Sequence, residues 1–240
     1  MGKVIARPPR RKLSAERIPP LQNGSRLTRD EFERLYEAMP ELKKAELIEG
    51  VVRSPSPLQQ SQHGRPHARR TAWLAFYSAH TPGVDCGCES TLRLDLDNEP
   101  QPDAFLMILP SHGGQARISE DDCIEGAPEL IAEVLRSSAS YDLHGKLRAC
   151  RRNGVREHAA WRALDREIDW FALKGGQYET LPANGSGVQK SVACPGLWLD
   201  RAAMIRGDLA RALKVLDKGL KSAERRRFAV KLQAKGRAAR

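Results

Sequence analysis

A chain of 240 residues, 40% hydrophobic and 29% charged, can bury one sizeable core with extensions, and nothing in it requires two domains. No run approaches the roughly 18 apolar residues of a membrane span, and the N-terminus lacks the apolar segment of a signal peptide. The formal charge of +10 belongs to the ends: residues 1–20 hold six Lys/Arg against Glu16, residues 221–240 hold eight against Glu224, and residues 21–220 sum to −2. Basic ends on a near-neutral body suit attraction to a phosphate backbone. The alternative is that they are solvated, disordered termini that aid solubility. Five cysteines (Cys86, Cys88, Cys123, Cys150, Cys194) are odd in number and include no Cys-x-x-Cys pair. That argues against a disulfide framework or a zinc ribbon and fits a reducing, cytoplasmic setting.

Residues 1–24, with Pro8-Pro9, Pro19-Pro20 and Asn23-Gly24, read as an extended or disordered arm. Thr28-Arg-Asp-Glu31 is a capping box, and Phe32, Leu35, Tyr36 and Met39 follow at helical spacing. Glu46 to Arg53 reads as a strand or hairpin around Glu49-Gly50. His63 to His80 is a second helix, which Pro66 can enter in its first turn. Thr91 to Leu96 alternates strictly, predicting a half-buried strand with Leu92, Leu94 and Leu96 inward. Strands over 102–109 and 129–135 follow, separated by a polar loop from Ser111 to Gly126, and both are apolar enough to be central. A helix from about Tyr141 to Asn153 buries Leu143 and Leu147, sets Asp142 and Lys146 on a neighbouring face, and ends at Gly154. Val155–Leu164, Ile168–Leu173 and Tyr178–Leu181 read as strands. Asp200 caps a last helix with Leu209, Leu213, Leu216 and Leu220 on one stripe. The order predicts an α/β fold, an α+β sandwich around a mixed sheet.

The chemistry lies in the two central runs. An acid inside the apolar run Pro128 to Leu135 would cost several kcal/mol to bury as an isolated charge, so Glu133 needs a metal ion or a cation beside it. Asp103 opens the other run. If the two are adjacent strands, Asp103 and Glu133 lie side by side at one end, with Lys146 reaching over from the following helix. Two carboxylates and a lysine suit Mg²⁺ and a phosphodiester. For each acid taken singly, a solvated or ion-paired structural role is the competing reading, and for Asp142 and Lys146 it is an exposed i,i+4 pair.

The ordered set of Glu46-Leu-Ile-Glu-Gly50, His63, Pro102-Asp103, Pro128 to Val134, Asp142 to Lys146, Gly154 to Glu157 and Pro195-Gly196-Leu197 resembles the Uma2 putative endonucleases of the PD-(D/E)xK, restriction-endonuclease-like superfamily. The resemblance runs from about Leu27 to Leu199. It implies a restriction-endonuclease-like mixed sheet flanked by helices, with a nuclease domain over 25–200; the basic arm over 1–24 and the C-terminal helix and basic tail over 201–240 are read from composition and lie outside it. It implies a divalent-metal-dependent endonuclease acting on DNA, in which Asp103, Glu133 and the main-chain carbonyl of Val134 bind Mg²⁺ or Mn²⁺. Lys146 is then the catalytic lysine, moved to the helix from the position that Leu135 occupies. Glu46 completes the site or positions water, with Glu49 as the acid it could be confused with, and His63 matches a histidine suited to contacting phosphate or assisting catalysis, with a capping or surface role as the competing reading. His67 has no such support, and the two histidines are too isolated for a zinc site. The chain departs from the pattern at Arg136-Ser137 and at His158-Ala159. A homodimer is one arrangement such folds use, although no heptad repeat signals it. Two other readings stay open: a binding module of the same fold that does not cut, and a metal-dependent hydrolase of a small phosphorylated substrate.

Overall fold

The computed structural model describes residues 19–54, 59–135 and 141–239. In chain order its elements are α1 (Arg29–Glu37), β1 (Glu46–Ile48), β2 (Val51–Arg53), α2 (Arg65–Ala79), β3 (Val84–Gly87), β4 (Leu92–Arg93), β5 (Ala104–Ile108), β6 (Arg117–Ile118), β7 (Ile124–Glu125) and β8 (Leu130–Leu135). There follow α3 (Tyr141–Arg152), β9 (Glu157–Arg162), β10 (Glu167–Lys174), β11 (Gln177–Thr180), β12 (Val188–Lys190), β13 (Trp198–Asp200), α4 (Arg201–Arg206), α5 (Leu209–Leu220) and α6 (Ala223–Ala238).

Six strands form one mixed sheet in the order β11-β10-β9-β8-β5-β3. Within this sheet only β8 and β9 run parallel, and α3 is the crossover between them, as a parallel pair requires. Alternation along β8 sends Leu130, Ala132 and Val134 to one face, where they pack with Trp73, Leu74 and Tyr77 of α2 and with Met204, Ala212 and Leu216 of α4 and α5. Ile131 turns to the opposite face, where Phe105, Met107 and Cys150 pack. Glu133 follows Ile131 by two residues and so shares that face, which α3 covers. The sandwich expected from the element order is thus a sheet with helices on both sides.

Local signals account for many of the ends. Thr28 Oγ1 accepts from Glu31 N and Glu31 Oε2 from Thr28 N at 2.9 Å, completing the capping box. Glu49 and Gly50 both have positive φ, 53° and 71°, the pair that a two-residue hairpin turn needs. Other expectations change. The alternation of Thr91 to Leu96 does not continue as a strand: β4 covers Leu92–Arg93 alone, and Leu96 is 70% exposed. Asp95 causes the break, because its carboxylate accepts from Asp97 N and Asn98 Nδ2 and folds the chain into a turn. The polar loop from Ser111 holds the short strands β6 and β7, which join β4 in a separate sheet.

The C-terminal part is three helices rather than one helix and a tail. Gly207, in the left-handed region, ends α4; Asp208 and Ser222 cap α5 and α6. Asp200 does cap a helix, by accepting from Ala203 N.

His158 is fully buried beneath α3, and neither ring nitrogen has a hydrogen-bond partner. Burial, helped by Lys146 and Arg70, pulls its pKa down to about 3. The unfolded chain therefore binds one more proton than the folded chain between pH 6.5 and about 3, and stability falls as pH drops through that window, by up to about 1.4 kcal/mol per unit. His158→Phe keeps the ring and removes both the orphaned N–H and the titration. Urea melts should show about 1–2 kcal/mol of stabilisation at neutral pH and a larger gain at pH 5. Equal or lower stability at both pH values would contradict this account.

Candidate active site

Asp103 immediately precedes β5, and Glu133 lies near the end of β8. The antiparallel register pairs Ala104 with Ala132, so the next pair outward sets Asp103 directly across from Glu133. Asp103 N approaches Glu133 Oε2 at 3.5 Å, and Val134 N donates to Asp103 Oδ2 at 2.7 Å. Here β5 has ended and β8 continues. The Asp103 side chain thus takes the place of a strand neighbour for Val134. By the geometry of an extended strand, the Val134 carbonyl lies on the same edge as its N–H.

Lys146 reaches over from α3. Its Nζ lies 3.2 Å from Glu133 Oε1 and 2.8 Å from Glu46 Oε1. Gly145 helps bring α3 this close, because a Cβ there would come within 3.2 Å of Ile48 Cγ2 on β1. Glu46 Oε1 also accepts from Gln101 N at 2.7 Å. Lys146 is 8% exposed, so it is not the cation of an ordinary solvated helix pair. The Asp142 side chain and residues Arg136-Ser137 lie outside the described residues. Glu49 is separate from the cluster and accepts from Arg148 and Arg152 on the outer side of α3.

A second set of side chains meets Asp103 from the start of α2 and from the segment before β1. Gln60–Gly64 forms a π-helical turn leading into α2, a geometry frequent at functional sites. His63 Nε2 lies 3.2 Å from Asp103 Oδ1, and His67 Nε2 lies 2.8 Å from the Asp103 carbonyl. A carbonyl only accepts, so Nε2 of His67 carries the proton. Arg70 Nη2 donates to Asp103 Oδ2 at 3.4 Å, and Lys44 Nζ lies 3.6 Å from Oδ1. Lys44 and His63 are the more exposed members of this set, and Arg70 is buried.

These contacts set the charge states. Burial alone would raise the Asp103 carboxyl, but His63, Arg70, Lys44 and the Val134 N–H hold it well below the usual carboxylate range. Burial pushes Glu133 up; Lys146 opposes this, while Asp103 and Glu46 add to it. Burial also works against the charge on Lys146, yet Glu133 and Glu46 keep it protonated, above the ordinary lysine range. Three carboxylates (Glu46, Asp103, Glu133) thus face three cations (Lys44, Arg70, Lys146).

The structure brings Glu46, Asp103, Glu133, Val134, Lys146 and His63 to one end of the sheet. Lys44, His67 and Arg70 also belong to the cluster, although nothing in the sequence pattern assigned them to it. Their signals were periodic: His63, His67 and Arg70 recur at i, i+4 and i+7, one helical face, and Lys44 precedes Glu46 by two in an extended segment. Glu157, which belongs to the motif order, lies at the other end of β9. There it accepts from Trp170 Nε1, Ser191 Oγ, Val192 N and Ala193 N. It ties the 191–194 turn to the sheet.

The mixed sheet with its α3 crossover, covered by helices on both faces, is a restriction-endonuclease-like α/β core. A crystal structure described as a putative nuclease belonging to DUF820 from Anabaena variabilis is similar to it, with a TM-score of 0.53 and 16% identity over 75% of this chain and 99% of that one. At that identity the likeness bears on the fold alone. The family Uma2, described as "putative restriction endonuclease", matches residues 29–202. With most of its length matched, the chain belongs to the Uma2 family. A comparison with curated proteins finds no match. No helix among the described residues is long and apolar enough to cross a membrane.

Proposed function

We propose that this protein is a divalent-metal-dependent endonuclease that hydrolyses phosphodiester bonds of DNA, with Asp103, Glu133, Lys146 and Glu46 as its working residues and residues 25–200 as its nuclease domain. The observation that carries the reading is the register opposition of Asp103 and Glu133, with Lys146 bridging Glu133 to Glu46. A groove beside α3 and the β1–β2 hairpin, lined by Arg26, Arg53 and Arg148 with Glu49 among them, supplies cationic side chains suited to backbone phosphates.

The donor set fits a hard cation. Asp103 and Glu133 offer carboxylate oxygens, and the Val134 carbonyl lies on the same strand edge. Among the described residues no three His, Cys, Asp or Glu side chains lie close enough to hold a metal unaided, so waters would complete the shell, as Mg²⁺ prefers. Lys44 is the most exposed cation at Asp103 and is the partner that a metal would displace. When bound, the ion supplies charge stabilisation at the phosphoryl and leaving oxygens and acidifies a water for attack. Asp103 stays ionised and presents a fixed negative charge. Lys146, held as a cation by two carboxylates, serves as a positive charge and hydrogen-bond donor rather than a proton acceptor. Glu46 positions it.

One observation favours a second reading, a module that binds nucleic acid without cutting: the three carboxylates are already matched by three cations. Incubation with supercoiled plasmid and with single-stranded DNA in Mg²⁺ or Mn²⁺ separates the two. The nuclease reading expects nicking or linearisation that EDTA abolishes. Absence of cleavage under either metal, with salt-sensitive DNA binding indifferent to EDTA, would replace it with the binding module.

A further inference from the structure

The charge of this chain is concentrated in its last forty residues. Residues 201–240 carry thirteen Lys/Arg against three acids, a net of +10, while residues 21–200 sum to −5. All three acids are engaged within the fold. Asp208 accepts from Arg211 N, Asp217 pairs with Lys221 at 2.6 Å, and Glu224 accepts from Trp198 Nε1 at 2.8 Å. None is left to neutralise the outer side of α6.

That helix is folded onto the body. Phe228, Ala229 and Leu232 face inward. Arg225 donates to the His80 carbonyl. The helix packs against the 3₁₀ turn Pro110–His112, which follows β5. Arg226, Arg227, Lys231 and Arg237 remain exposed on its outer side, while the Lys235 stem lies along Gly113 beside that turn. Arg227, Lys231 and Lys235 are successive i,i+4 neighbours of one sign, an arrangement that weakens a helix by a few tenths of a kcal/mol per pair. A row of cations kept at that cost, on a well-packed helix, has an anion as its natural partner.

We propose that the outward face of α6 is a docking surface for the phosphate backbone of nucleic acid, separate from the site at the opposite end of β5. The inference rests on the nucleic-acid reading above and adds where a long substrate is held. Asp103 and Ile108 bracket β5, so the site and the α6 anchor stand about 17 Å apart along the strand. The helix itself is about 24 Å long. Engaging both takes a ligand as long as a polynucleotide, whereas a small phosphodiester engages the site alone. An anionic membrane suits this face less well, because an interfacial helix needs an apolar face turned to lipid. On α6 the apolar side is used up by packing, and Val230 is its one large exposed hydrophobic residue.

The test replaces Arg226, Arg227, Lys231 and Arg237 with glutamine in the full chain, all exposed positions where glutamine supports a helix. Binding of a duplex of about 30 base pairs, ample to reach from site to helix at about 3.4 Å per pair, is followed by fluorescence anisotropy from low to physiological salt. Hydrolysis of a small chromogenic phosphodiester in Mn²⁺ runs alongside, and thermal melts confirm that the variant is folded. We expect duplex affinity at low salt to fall at least about tenfold and the log–log salt slope to shrink by roughly 3–4, one for each phosphate that is no longer neutralised. Small-diester hydrolysis should be unchanged. Co-sedimentation with phosphatidylserine vesicles is a further arm; unaltered duplex affinity and slope overturn the proposal, as does a loss confined to the vesicles. If neither protein hydrolyses the diester while duplex binding still drops, the nuclease reading fails and the docking surface stands.

Discussion

Lys146→Met should lower stability by about 3–5 kcal/mol at neutral pH, because it removes the cation between two buried carboxylates. Glu46 and Glu133 would then face each other with no charge between them, in a place where burial already pushes Glu133 up. Glu133 would titrate above its unfolded value near 4.3. The folded variant therefore binds protons that the unfolded chain has released, and its stability rises as pH falls toward 5. Urea melts at pH 5 and pH 8 should show the deficit relative to the parent shrinking at the lower pH. A second change, Glu46→Gln, should recover part of the loss, since it removes one member of the repelling pair. A deficit independent of pH would mean that Lys146 matters for its aliphatic packing rather than its charge.

Local periodicity determines Asp103, Glu133 and Lys146, whereas Glu46, His63 and the Val134 carbonyl were legible only through the family resemblance. Two apolar runs long enough for central strands each carried an acid at a defined offset, so their pairing was enough to set Asp103 against Glu133. Lys146 followed because a helix between parallel strands packs back over them. The periodic spacing of His63, His67 and Arg70, and of Lys44 with Glu46, sets a shared face but not its target, because how α2 and the segment before β1 approach the sheet end is a tertiary matter. The alternation that pointed Leu96 inward was outweighed by the side-chain turn at Asp95. The C-terminal basic run was open to a disordered reading because charge density masked the apolar positions Phe228, Ala229 and Leu232, which are few but sufficient once a core is there to receive them.

Asp103→Asn should abolish cleavage or reduce it by at least about 10²–10³-fold, as expected when a preorganised charge at the reacting centre is lost. Asparagine keeps the size of the side chain and an oxygen for the Val134 N–H, but not the charge that Arg70 and Lys44 match. It also leaves Arg70 buried without its anion, so some stability is lost as well. Adding Arg70→Met separates the two effects: the double variant should regain stability without regaining activity. A folded Asp103→Asn protein with full activity would remove Asp103 from the centre of the reaction. The pH dependence adds an independent check on the parent protein. Asp103 is held too far below the usual range to titrate near neutrality, whereas Glu133 is raised by burial. An acid limb in the rate profile should therefore belong to Glu133 and move when Lys146 is replaced.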